Sequence, residues 1–130
     1  MIKTRKRQPK VITVRDRQTG MLVPKIRLAG YWLHDFGFTI DKLVTVAVDD
    51  GIILQLMENK DYKEVVRFAY KNNMKLLQIR KEEHNRGEPR ACIDIFGSII
   101  KRAELCTGDL LTKDCSFGQI KLQKLLPLGF

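Results

Sequence analysis

At 130 residues the chain has room for one compact domain, and 44% hydrophobic with 30% charged residues is the balance of a folded protein rather than a disordered one. No apolar run approaches the ~20 residues needed to cross a bilayer, and the basic start lacks a secretion signal's apolar segment, so a cytoplasmic location without a membrane partner is expected. The net charge of +9 is concentrated, because residues 1–30 hold nine basic side chains against Asp16 alone while the other hundred hold fifteen basic and fourteen acidic. Such a distribution suits a polyanion, and RNA or DNA is the expected partner.

Residues 1–9, carrying Lys3, Arg5, Lys6 and Arg7, read as a basic arm, with Lys10 directly after it. Residues 11–17 are rich in β-branched side chains and end at Gln18-Thr19-Gly20, the mark of a strand entering a turn. A second strand follows to Ala29, with Pro24 marking an edge or irregular position because it has no N–H to donate. Gly30 ends that strand, and residues 31–36 suffice for one or two helical turns that bury Trp32, Leu33 and Phe36 before Gly37 closes them. Asp49-Asp50-Gly51 between two apolar runs predicts a hairpin.

A connector helix is expected over about 61–72. Asp61 and Glu64 have capping-box spacing, and Tyr62, Val65, Val66 and Ala69 fall on one stripe. The helix is expected to cover an open end or edge of the sheet. Strand character returns at residues 74–81, and after a polar loop at 82–89 the segments 91–96, 98–105, 110–115 and 119–125 complete a second set. The apolar tail from Leu125 to Phe130 is expected to pack on the body of the protein or to support self-association.

The two sets can be superposed in sequence. Residues 26–56 and 93–123 align at a constant offset of 67, with Ile26, Gly30, Leu43, Thr45, Gly51 and Ile53 meeting Ile93, Gly97, Leu110, Thr112, Gly118 and Ile120. The domain organisation expected is therefore a basic arm (1–9) and one pseudo-two-fold domain (10–130). That domain comprises repeat 1 (10–57), the connector helix and repeat 2 (74–125). Ile52-Ile53-Leu54 is continuously apolar where Ile120-Lys121-Leu122 alternates, which predicts a one-residue register slip in the last strand.

Chemistry-bearing residues are sparse. Cys92, Cys106 and Cys115 are odd in number and lack ligand spacing, and Cys115 reads as a small buried hydrophobe. Asp49-Asp50 is explained by its turn, so neither metal nor cofactor is expected. Metal-free RNA cleavage needs a general base and a general acid, for which His34 and His84 are the two histidine candidates. Lys101 stands where a repeat of His34 would fall. His34 is expected at the surface of its turn, and no catalytic residue is assigned.

Residues 24–38 contain an apolar strand ending in Gly30, then Tyr31-Trp32-Leu33, then a short turn ending in Gly37-Phe38. With Val44-Thr45-Val46 and Asp50-Gly51-Ile52-Ile53-Leu54, this segment resembles the SymE-like toxins over residues 9–56. The second copy keeps Gly97, Leu105 and Gly118 but has Ile99 for the tryptophan. The implied fold is mainly β with short helices: a single-chain, pseudo-dimeric swapped-hairpin barrel of AbrB/SymE type plus the connector helix. The implied function is nucleic-acid binding by a bacterial toxin–antitoxin protein or a regulatory relative. Lys3, Arg5, Lys6, Arg7 and Lys10 would add general attraction, and Arg15, Arg17, Lys25 and Arg27 would bind phosphates from the first hairpin. RNA endonuclease activity, also implied by the resemblance, and a protein-interaction module are the alternatives.

Overall fold

A computed structural model describes residues 8–57, 61–83 and 87–126. The chain runs β1 (Ile12–Arg15), β2 (Leu22–Ala29), α1 (Trp32–Asp35), β3 (Leu43–Val48), β4 (Ile52–Met57), α2 (Tyr62–Lys71), β5 (Lys75–Gln78), β6 (Arg80–Glu82), β7 (Arg90–Phe96), α3 (Gly97–Arg102), β8 (Leu111–Ser116) and β9 (Gln119–Lys124). These elements make a mainly β protein of two antiparallel sheets, ordered β1-β2-β7-β6 and β5-β3-β4-β9-β8. Each sheet combines strands from residues 8–57 with strands from residues 74–126.

The central pairings have a symmetric register. In β2–β7, Ile26 opposes Ile95 and Leu28 opposes Ile93, with Arg27 facing Asp94 between them. Those three pairs exchange into themselves at the offset of 67. In β4–β9, Ile52 opposes Leu122, Leu54 opposes Ile120, and Ile53 faces Lys121. Here the self-exchanging offset is 68, which brings Ile52, Leu54 and Gln55 onto Ile120, Leu122 and Gln123. The slip expected from alternation is therefore present, and its source is the hairpin. Val48↔Ile52 encloses three residues, whereas the counterpart pair Cys115↔Ile120 encloses four, with Ser116↔Gln119 paired inside it. The inward side chains Ile26, Leu28, Ile93 and Ile95 of one sheet and Ile52, Leu54, Ile120 and Leu122 of the other belong to one buried core.

The expected barrel is not closed. Each sheet keeps two edge strands, and where the chain before β1 meets the chain before β8 the contact is one bridge, Lys10↔Leu110, rather than a ladder. Residues 74–81, expected as one strand, are divided between the sheets at Ile79. The Ile79 N–H donates to Lys42 O (2.9 Å) while its carbonyl accepts from the Asp41 N–H (2.9 Å). Val11 repeats this arrangement with Asp109 O (3.0 Å) and the Gly108 N–H (2.8 Å). Both side chains are buried, so each crossing point anchors a corner of the core without extending a strand ladder around it.

Pro24 lies where β2 has β1 alone beside it, since pairing with β7 begins at Lys25. Its missing N–H therefore leaves no ladder bond unmade. In α2 the Asp61 side chain accepts the Lys63 N–H and caps the helix as expected, and the helix lies against the edge strand β5. Its buried stripe is narrower than the sequence suggested. Val65 and Ala69 are covered, but Tyr62 and Val66 are exposed, because the helix is turned to seat a two-residue stripe on the edge strand.

The short turns after β2 and β7 share a closing geometry. Gly37 donates to His34 O and Phe38 to Leu33 O, as Glu104 does to Lys101 O and Leu105 to Ile100 O. Both closing residues have positive φ, +87° at Gly37 and +59° at Glu104, a conformation that costs a residue with a Cβ. A Cβ at Gly37 would also come within 2.8 Å of the Phe117 ring. Urea denaturation should therefore show Glu104→Gly stabilised by roughly 0.5–1 kcal/mol and Gly37→Ala destabilised by at least about 1 kcal/mol. Equal effects of the same sign would contradict this reading of the two turns.

Candidate nucleic-acid interface

The four hairpin cations Arg15, Arg17, Lys25 and Arg27 line one groove of about 590 Å³, where Arg80 joins them. Antiparallel pairing accounts for the convergence of Lys25, Arg27 and Arg80, while Arg15, opposed to Leu22, and Arg17 line the groove from the hairpin end. Directly opposed residues share a face, so Lys25 faces Phe96, Arg27 faces Asp94, and Cys92 on β7 is opposed by Arg80 on β6. Asp16 shapes the hairpin end, its side chain accepting the Gln18 N–H at 2.8 Å, while Arg15 donates to Gly20 O at 2.6 Å. The groove thus holds five cationic side chains against Asp16 and Asp94.

Asp94 organises the groove. Its side chain is only 7% exposed, and Lys25 Nζ (3.6 Å), Arg27 Nε (2.9 Å) and Arg80 Nη2 (2.5 Å) all approach its carboxylate. Arg27 binds with a second nitrogen at 3.2 Å and also reaches Glu82, which in turn holds Arg90 Nε at 2.5 Å. Lys25 Nζ additionally lies 5.3 Å from the Phe96 ring centroid. Burial raises the Asp94 pKa, but the hydrogen bond from Arg27 and the charges of Arg27, Lys25 and Arg80 outweigh it and hold the carboxyl below its ordinary value. The same hydrogen bond pushes the Arg27 guanidinium further up. Sequence reasoning missed Asp94, although at the offset of 67 it is the counterpart of Arg27, a charge reversal in an otherwise apolar match.

Lys10 is exposed and does not line this groove. Lys3, Arg5, Lys6, Arg7 and His84 lie outside the described residues. His34 is not the surface side chain expected. It is partly buried, and its Nε2 accepts the Ala91 N–H at 3.3 Å, which occupies the lone pair a general base would use. Tyr31 donates its hydroxyl to Glu88 O, and Trp32 donates Nε1–H to Ala29 O at 3.1 Å. Lys113 Nζ sits 3.8 Å from the Trp32 ring centroid, and burial pushes its ammonium pKa down. These aromatic side chains therefore join the turn to its neighbours.

None of the three cysteines is in a disulfide, and burial pushes the Cys92 and Cys115 thiols up, away from the thiolate a nucleophile needs. Among the described residues no group of three or more His, Cys, Asp or Glu side chains is placed to hold a metal, and no helix is long and apolar enough to span a membrane. No family model, curated protein or solved structure matches the chain.

A carboxylate held below its unfolded pKa contributes stability above about pH 4, and that contribution is lost as pH falls through the folded value. The stability difference between the native protein and Asp94→Asn should therefore shrink as pH is lowered below about 4. A difference that stays constant down to acid pH, measured by urea denaturation, would show that Asp94 is not held by these cations.

Proposed function

We propose that the protein binds nucleic acid through the groove on the outer face of the β1-β2-β7-β6 sheet. The observation that carries this reading is that Arg15, Arg17, Lys25, Arg27 and Arg80 all line one groove. Phosphates attract such a surface whatever the base sequence, and each contact releases counterions. Asp94 limits the affinity by engaging three of the five cations, which leaves Arg15 and Arg17 as the main groups for first contact. With His34 Nε2 already accepting a backbone N–H, binding rather than strand cleavage is the activity this reading assigns.

The mixing of both halves in each sheet and the matched crossings at Val11 and Ile79 support a finer reading. In it the chain is a duplicated, single-chain pseudo-dimer related to the swapped-hairpin fold, left open at its corners. The resemblance of residues 24–38 to SymE-like toxins supports reading it as a toxin of that type or a regulatory relative. The charge reversal from Arg27 to Asp94 makes the groove asymmetric, so the reading does not call for a palindromic DNA site.

Fluorescence anisotropy with duplex DNA, single-stranded DNA and RNA over a salt series tests the proposal. Arg15→Ala with Arg17→Ala should lower the slope of log affinity against log salt by about 0.9 per lost contact on duplex DNA, or about 0.7 on a single strand. Asp94→Asn should tighten binding to the same ligands. Binding indifferent to salt, or unaffected by both changes, would overturn the proposal.

A further inference from the structure

Helix α2 has a second exposed surface, on an element that contributes nothing to the groove. Beyond its buried Val65 and Ala69, the 3.6-residue period places Tyr62, Val66 and Tyr70 in one row and Lys63, Arg67 and Lys71 in the row beside it. Tyr62 is 63% exposed, Val66 40% and Tyr70 89%, and with Lys63 and Arg67 they line a shallow depression of about 410 Å³. Two exposed tyrosines and an arginine around an aliphatic centre are residue types that dominate binding energies at protein interfaces.

We propose that this face docks an acidic amphipathic helix of a partner protein. Charge decides the partner's polarity: three cations border the apolar row, and Glu64 is the helix's sole acidic residue, so a partner with carboxylates beside an apolar stripe is complementary. Spacing decides its shape. Tyr62, Val66 and Tyr70 are successive i, i+4 positions about 6 Å apart along the axis, the interval at which a second helix presents its own side chains. Single-stranded nucleic acid fits less well, because Val66 between the tyrosines offers no aromatic face and the tyrosines are about 12 Å apart along the axis. The partner's apolar side chains pack on Val66 between the two rings, and its carboxylates face Lys63, Arg67 and Lys71.

The test uses the full chain and a fluorescent helical peptide with leucines along one stripe and glutamates flanking it. A control peptide carries lysine in place of every glutamate. The acidic peptide should bind and the basic one should not. Binding should weaken about tenfold or more in Tyr70→Ser and in Val66→Ser, whose side chains are exposed enough to leave the fold intact by circular dichroism. Lys63→Glu with Arg67→Glu should transfer binding from the acidic peptide to the basic one, while Arg15→Ala with Arg17→Ala should leave peptide binding unchanged. Equal binding of both peptides, no binding of the acidic one, or insensitivity to the Tyr70 and Val66 changes would overturn the proposal. So would a face whose variants instead lose self-association, oligonucleotide binding or binding to phosphatidylserine vesicles.

Discussion

The pairing of Arg27 with Asp94 is the constraint on which fold and groove both depend. It lies at the centre of the β2–β7 register, between the buried pairs Ile26–Ile95 and Leu28–Ile93, and joins the two halves of the chain across the four-stranded sheet. A carboxylate 7% exposed cannot stay charged without close partners, and three cations supply them. Because the register maps this position onto itself, two copies of the first half would oppose Arg27 to Arg27, and two copies of the second would oppose Asp94 to Asp94. Like charges directly across a strand pair repel, so the reversal favours the first half meeting the second within one chain.

The same pair shapes what the surface can do. Cross-strand opposition gathers Lys25, Arg27 and Arg80 around Asp94 on one face, and Arg15 and Arg17 line the same groove from the hairpin end. The carboxylate that holds the first three also opposes a phosphate that would replace it. Stability and anion affinity therefore pull in opposite directions at Asp94. On the apolar side, the β4–β9 pairing accommodates an extra hairpin residue and still returns Ile120 and Leu122 to the core, because a shift of one residue restores their alternation.

Much of the architecture was legible in local signals. The Gln18-Thr19-Gly20 and Asp49-Asp50-Gly51 turns, the Asp61 cap and the matched glycines all act through backbone geometry, which neighbouring residues determine. What remained hidden depends on distant partners. Residues 74–81 read as one strand because nothing local signals that Ile79 will bond to Asp41 and Lys42 and change sheets. Val66 matches a helical stripe as well as Val65 does, and only contact with β5 decides which is covered. His34 looked exposed because its acceptor bond comes from Ala91, 57 residues away. Asp94 looked like an ordinary strand residue until pairing placed it against Arg27, although the sequence alignment at an offset of 67 already set them opposite each other.

Native-state amide hydrogen exchange tests most directly whether the two halves form one cooperative structure. Amides of Ile26, Leu28, Ile52 and Leu54 in the first half and of Ile93, Ile95, Ile120 and Leu122 in the second should become exposed together, at the free energy of global unfolding. Protection that separates into two levels, one for residues 8–57 and another for residues 74–126, would contradict strands shared between the halves.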